Sequence, residues 1–275
     1  MPELPEVEVS RLGLLPHLTG QRLVEAVFRT PKLRHELPAE LPPRLAGLRV
    51  NTILRRGKYL LFDCQSQHGG GWLILHLGMS GSLRLVAPGT PAQKHDHVDL
   101  VFARTTLRFR DPRRFGTVVW VEGSAVEQHP LIAVLGVEPL SAEFDGDWLY
   151  AETRRRNTPI KPLLMDSHLV VGIGNIYASE SLFLAGISPL RAARRISRER
   201  YRILVPAIRT TLKTSIAAGG SSVRDYVHSD GGAGSFQLSC AVYDRHGQPC
   251  LNCGHPIQQI RQAGRSTFYC SRCQR

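Results

Sequence analysis

Cys250-Leu251-Asn252-Cys253, followed 16 residues later by Cys270-Ser271-Arg272-Cys273, is the stretch whose reading decides the C-terminal fold. Each Cys-x-x-Cys turn lets two sulfurs chelate one ion, and four thiolates at this separation suit a tetrahedral zinc held in a β-hairpin ribbon. Protein fills all four positions, so the metal is structural and not catalytic. Iron fits the same cage and stays open. Arg265 lies on the hairpin between the pairs, where it either reaches a phosphate or is solvated. Cys64 and Cys240 have no pairing pattern and read as small buried side chains.

N-terminal to the ribbon, the texture is helical. Residues 197–218 show helical spacing, with Ser197 as N-cap and Gly219-Gly220 as the stop. Residues 142–157 and 176–186 also read as helices. Before residue 125 the pattern is short β-like runs: Leu23–Phe28, Val50–Leu54, Tyr59–Phe62, Trp72–Leu77, Ser82–Val86, Val98–Phe102, Leu107–Arg110 and Thr117–Val121. Gly, Pro, Asp or Asn fill most gaps, which predicts a β-sandwich or barrel. Leu4, Val7, Leu12 and Leu15 predict a helix over 3–18. The expected class is α+β, with a β-rich domain over 1–130, a linker over 131–150, a helical domain over 151–238 and a metal-bound tip over 239–275. Gly231–Ser235 is glycine-rich and expected to be mobile.

Lys and Arg number 35 against 23 acids, a net charge of +12. That excess points to a polyanion: nucleic acid, an acidic membrane face or an acidic protein. No apolar run approaches the roughly 20 residues of a membrane span. The opening Met1-Pro2-Glu3-Leu4-Pro5-Glu6 is not a signal peptide, so a cytosolic location is expected. There, clustered cysteines bind metal more readily than they form disulfides.

Five further patterns bear on chemistry. Removal of Met1 leaves Pro2 as a secondary amine. An α-amino group near pKa ~7.7–8.0 is roughly 10–20% neutral at pH 7, far more than a lysine. A neutral amine attacks a sugar carbon, and Glu3 beside it can move a proton. Acids equally favour the first turn of a helix. Arg55-Arg56-Gly57-Lys58 offers a lysine to a phosphate or proton, or is a solvated strand edge. Lys94-His95-Asp96-His97 places two rings together without a third metal ligand, so phosphate or structural hydrogen bonding fits better. Asp111-Pro112-Arg113-Arg114-Phe115-Gly116 and the turn His76-Leu77-Gly78-Met79-Ser80-Gly81 carry Arg113, Phe115 and Met79, candidate wedges for a vacated base position. For Met79 the alternative is core filling. Gly172-Ile173-Gly174-Asn175 leads into a helix and offers N–H groups to an anion, or is a plain turn.

Together these motifs resemble the formamidopyrimidine-DNA glycosylases. The likeness rests on Pro2-Glu3-Leu4-Pro5-Glu6-Val7-Glu8, the His76–Gly81 turn, the Lys94–His97 segment, the Asp111–Gly116 loop, Gly174-Asn175-Ile176-Tyr177-Ala178-Ser179-Glu180 and the cysteine pairs, in one order from residue 2 to residue 273. The resemblance implies a β-sandwich with an N-terminal helix, a helix–two-turn–helix domain and a zinc ribbon, with DNA in a cleft between the lobes. It implies removal of oxidised purines, chiefly 8-oxoguanine and formamidopyrimidines, followed by β- and δ-elimination at the abasic site.

By position, the resemblance makes Pro2 the Schiff-base nucleophile, Glu3 its acid/base partner, Lys58 the β-elimination donor and Arg265 the δ-elimination donor. His95, Arg113, Arg156, Lys161, Asn175 and Tyr243 would contact DNA. Met79, Arg113 and Phe115 would fill the vacated space, and Ser221–Phe236 would cap the flipped base. Leu4 favours the purine branch, since pyrimidine-specific relatives open Pro-Glu-Gly-Pro. Arg156 stands where the family carries lysine, which keeps charge but changes phosphate geometry. The implied cofactor is one structural zinc at Cys250, Cys253, Cys270 and Cys273. The implied partner is double-stranded DNA bearing oxidised purines, bound by a monomer in the bacterial cytoplasm at the nucleoid. A non-catalytic DNA-binding protein is the main competing class.

Overall fold

The computed structural model describes residues 1–221 and 240–275. Gly231–Ser235 and all of the expected capping loop after Ser221 lie outside the described residues. The chain divides into two compact units. One holds Met1–Ala133 with 218–221, the other Val134–Ala217 with 240–275.

The first unit opens with helix α1 (Leu4–Leu18), where Glu3 and Glu6 form a reciprocal capping box and Pro5 occupies the first turn. Its strands are β1 (Leu23–Phe28), β2 (Arg49–Arg56), β3 (Tyr59–Ser66), β4 (Gly69–His76), β5 (Ser82–Val86), β6 (Asp96–Phe102), β7 (Thr106–Arg110) and β8 (Thr117–Glu122), with the short helix α2 (Leu41–Leu45) between β1 and β2. They form two four-stranded antiparallel sheets, ordered β2-β3-β4-β8 and β1-β6-β7-β5. Alternate residues from both sheets meet in one core: Ile53, Leu60, Phe62, Leu73 and Val118 from the first, Leu23, Val98, Leu100, Leu107 and Phe109 from the second. Val7, Leu14 and Leu18 of α1 join that core. The expected sandwich with an N-terminal helix is present.

The first unit closes with the short helix α3 (Pro130–Ala133), and the second contains α4 (Gly146–Thr153), α5 (Ile160–Leu164), α6 (Asn175–Leu184), α7 (Arg198–Ala217) and the hairpin β9 (Gln258–Gln262) and β10 (Arg265–Tyr269). α4 starts later than the sequence pattern suggested because Asp145 caps it, accepting the Trp148 N–H at 2.7 Å. α7 buries Tyr201, Leu204, Ile208 and Leu212 on one face. Polar pairs tie the helices inside the apolar packing: Tyr201 Oη meets Thr153 Oγ1 at 2.7 Å, and Tyr177 Oη meets Ser215 Oγ at 2.6 Å. No helix of the described residues is long and apolar enough to cross a membrane.

Candidate functional site

In the first unit, Pro2 and Glu3 sit buried at the start of α1, with Glu3 only 3% exposed. Glu6 completes this corner. Its carboxylate accepts the Glu3 N–H at 2.7 Å and both the N–H and hydroxyl of Ser221 at 2.8 Å. One turn along α1, Glu8 bonds Arg11 at 2.6 Å and Arg55 at 2.9 Å. Burial pushes the Glu8 carboxyl up, but the Arg11 and Arg55 guanidiniums outweigh it and hold it below the usual range. Arg55 also donates to the Gly57 carbonyl at 3.0 Å.

Gly57 and Lys58 are the two-residue turn between β2 and β3, and Gly57 supplies the positive φ of 57° that the turn needs. The Glu8–Arg55 pair therefore links α1, the helix that follows Pro2 and Glu3, to the turn that carries half-buried Lys58. Beside this turn, the His76 ring lies 4.7 Å from the Tyr59 ring. Burial, with Lys58 and Arg34 nearby, pushes the His76 imidazole down to about 4. Its Nδ1 accepts the Gly78 N–H at 3.0 Å.

The wedge candidates come together on the same unit. Met79 is 37% and Phe115 44% exposed, so Met79 does not fill the core. The Arg113 guanidinium stands over the Phe115 ring, 4.9 Å from its centroid. A Cβ on Gly78 would lie 2.5 Å from the Phe115 carbonyl carbon, so the two loops touch backbone to backbone. His95 joins them through its carbonyl, which accepts the Asp111 N–H at 3.0 Å. His97 Nε2 bonds the Asp111 carbonyl at 3.1 Å, a structural role.

In the second unit, Lys161 is 1% exposed. Its ammonium donates to Asn175 Oδ1 at 2.7 Å, Thr267 Oγ1 at 2.8 Å and the Ser266 carbonyl at 3.1 Å. Asn175 Nδ2 donates to that same carbonyl at 2.9 Å. These bonds join α5, the N-terminus of α6 and β10, where Arg265 is the first, exposed residue. The hairpin turn Ala263-Gly264 has φ of 45° and 76°, both in the left-handed region of a tight two-residue turn. Tyr243 packs edge-on against Phe268, ring centroids 5.2 Å apart. Its N–H, with those of Ala241 and Val242, is taken by the Glu180 carboxylate at 2.7–3.0 Å. Arg156 is exposed, and its carbonyl accepts the Arg194 N–H at 3.1 Å.

Cys250, Cys253, Cys270 and Cys273 bring their sulfurs within 4.8 Å of one another. The sulfurs of Cys253 and Cys270 are 3.5 Å apart and those of Cys250 and Cys273 3.8 Å. A tetrahedral zinc with Zn–S of about 2.3 Å requires sulfurs about 3.8 Å apart, so the donor set fits that ion. Cys64 and Cys240 are buried apart from this cage, and burial pushes the Cys64 thiol up to about 12.

Three family models cover most of the chain: the formamidopyrimidine-DNA glycosylase N-terminal domain over residues 1–118, the H2TH domain of the same glycosylases over 135–227, and the zinc finger found in FPG and IleRS over 247–275. A formamidopyrimidine-DNA glycosylase of Dechloromonas aromatica is 64% identical over the full length of both chains. This chain belongs to the formamidopyrimidine-DNA glycosylase family. A relative of the same description from Ralstonia pickettii is 55% identical, again over both full lengths. Among solved structures, the Lactococcus lactis Fpg bound to DNA with an abasic site superposes with a TM-score of 0.90 at 36% identity, covering 99% of each chain. The wild-type Lactococcus lactis Fpg with oxidised-pyrimidine DNA matches at 0.90 and 35%, also over 99% of each. The four-cysteine cluster is the zinc finger of this glycosylase family.

Sequence reasoning placed the motifs but missed the residues that brace them. Glu8 and Arg55 hold the Lys58 turn, Asp111 and Ser80 hold the two wedge loops, and Glu180 holds the chain at Tyr243. Glu8, Ser80, Asp111 and Glu180 lie inside the motifs quoted above, yet nothing in their spacing tells which loops they join.

Proposed function

We propose that this glycosylase removes oxidised purines, 8-oxoguanine and formamidopyrimidines, through the Pro2 amine and then cuts the strand by β,δ-elimination. The observation that carries the reading is the Glu8–Arg55 link, which couples the helix just after Pro2 and Glu3 to the turn bearing Lys58. Met1 must be removed, because an amide nitrogen has no pair to donate.

The free Pro2 nitrogen attacks C1′ of the damaged nucleoside. The N-glycosidic bond breaks and the base leaves with that electron pair and a proton. Glu3 moves protons between the amine and the sugar ring oxygen. Ring opening gives a tertiary iminium, since proline brings a secondary amine. The cation acidifies the C2′ hydrogens. Loss of one breaks the C3′–O3′ bond, and Lys58 supplies the proton for this step. The second elimination breaks C5′–O5′, with Arg265 as donor. Met79, Arg113 and Phe115 occupy the space left by the everted base, with Arg113 facing the orphan cytosine. His95, Arg156, Lys161, Asn175 and Tyr243 are assigned to the DNA backbone and neighbouring contacts. The zinc folds the hairpin that presents Arg265 and takes no part in the steps.

Borohydride trapping on a duplex with 8-oxoguanine opposite cytosine tests this. Mass spectrometry should place the crosslink on Pro2, and protein with an uncleaved N-terminal tag should trap none. A crosslink on any other residue refutes the mechanism. The Lactococcus lactis complex with oxidised-pyrimidine DNA favours a second reading, in which oxidised pyrimidines are also substrates. Faster turnover of a thymine glycol duplex than of 8-oxoguanine would install that reading instead.

A further inference from the structure

Asp111 has no part in the steps above, yet it is fully buried at 0% exposure and sits between the two wedge loops. Its Oδ1 accepts the Ser80 hydroxyl at 2.8 Å and the Arg113 N–H at 3.3 Å, and its Oδ2 accepts the Gly116 N–H at 2.7 Å. Ser80 follows Met79 and Gly116 follows Phe115, so one carboxylate brackets all three wedge residues. Ser80 Oγ also accepts the Arg113 N–H at 3.2 Å, which closes a small ring of bonds. The Asp111 backbone is engaged as well. Its N–H reaches the His95 carbonyl, and its carbonyl accepts Arg114 N–H at 3.2 Å.

The loop needs a brace. Arg114 has φ of 55°, a left-handed conformation that residues with a Cβ adopt only when their surroundings impose it. A charged acceptor shielded from water binds N–H and O–H donors more strongly than a neutral one would.

We infer that Asp111 is a positioning residue for base eversion, holding Met79 and the Arg113–Phe115 pair as one preformed wedge. This rests on the proposed excision from a stacked duplex. A wedge assembled before DNA arrives enters the stack without first ordering two separate loops, and a small misplacement of such groups costs rate steeply.

The test compares Asp111→Ala, Asp111→Asn, Ser80→Ala and Arg113→Ala in single-turnover borohydride trapping on two probes. One is a duplex with 8-oxoguanine opposite cytosine. The other is a single-stranded abasic oligonucleotide, which needs the amine but has no stack to fill. Asp111→Ala should lose roughly tenfold or more on the duplex and less than about twofold on the single strand. Asp111→Asn keeps an acceptor for Gly116 and should recover part of the loss. Arg113→Ala added to Asp111→Ala should cost little more, because the wedge is already displaced. Ser80→Ala removes one leg of the brace without hollowing the site and should show the same duplex-only loss, smaller in size. Equal losses on both probes for Asp111→Ala and Ser80→Ala, or duplex trapping unchanged in both, overturn the inference. Wild-type protein that traps neither probe sinks the catalytic reading and this inference with it. Wild-type trapping with indifferent variants sinks the inference alone.

Discussion

The Lys161 ammonium lies 2.7 Å from Asn175 Oδ1 with the lysine side chain almost wholly out of solvent. A buried cation is tolerated only where its hydrogen bonds are made, and here Asn175, Thr267 and Ser266 make them. The same bonds join two helices of the second unit to the zinc hairpin. A residue that sequence assigns to phosphate binding is thus also a fastener between the helices and the ribbon.

Replacing Lys161 by Met keeps the stem and removes the charge. Asn175 Oδ1 and Thr267 Oγ1 then lose this donor inside the protein, while the Ser266 carbonyl keeps that of Asn175, and the change should cost about 2–4 kcal/mol of stability. Urea denaturation of the second unit measures it. A loss within about 0.5 kcal/mol would show the ammonium to be dispensable for folding.

Removing zinc should unfold the ribbon selectively. Its hairpin has two five-residue strands and a small core of Val242, Ile257 and Phe268 beside Phe183. A two-stranded hairpin of this size is marginal without a staple. Chelation should release one zinc per chain and abolish amide protection across 258–269, while the sandwich keeps its protection. Hydrogen exchange by mass spectrometry reads both. Cys253→Ser should act in the same direction. Persistent protection in the metal-free ribbon would contradict the role given to the metal.

His76 makes stability depend on pH. Burial, then Lys58 and Arg34, depress its folded pKa to about 4. The unfolded imidazole, near ~6.5, takes its proton first. The favourable contribution is therefore intact above about pH 6.5 and declines as pH falls toward 4. At about 1.4 kcal/mol per unit the loss is on the order of 3 kcal/mol. Protonation of Nδ1 would also remove the acceptor for Gly78 N–H, at the turn that carries Met79. Denaturation midpoints at pH 7.5 and pH 4.5 for wild type and His76→Gln check this. The variant should lose less on acidification, and an identical loss would rule His76 out as the source.

Strands were legible where apolar residues alternate or cluster between turn residues. β1 and β5 have the bounds that their sequence runs suggest. β3 and β4 extend further, to Ser66 and back to Gly69, because Asp63, Gln65 and three glycines pair in register although their side chains carry no strand signal. Helices α2, α3 and α5 escaped notice. Each has only four or five residues and contains proline, so no apolar period develops.

At the site, the contrast between Arg113 and Asp111 is instructive. Arg113 announces itself as a cation in a proline-broken loop. Asp111, two residues earlier, looks like an ordinary turn aspartate. Its importance comes from Ser80, 31 positions away in sequence, and that pairing appears only when the loops fold together.

By itself, the sequence determined the zinc ligands, the strand-rich and helical halves, and the residue types that can do amine and phosphate chemistry. These are local properties, set by spacing, side-chain chemistry and propensity. Tertiary structure decided which residues brace the others: Asp111 between the wedge loops, Glu8 and Arg55 beneath Lys58, and Lys161 between helix and ribbon. A hydrogen bond between distant segments has no local signature, because its strength depends on burial and direction that exist only after the chain has packed.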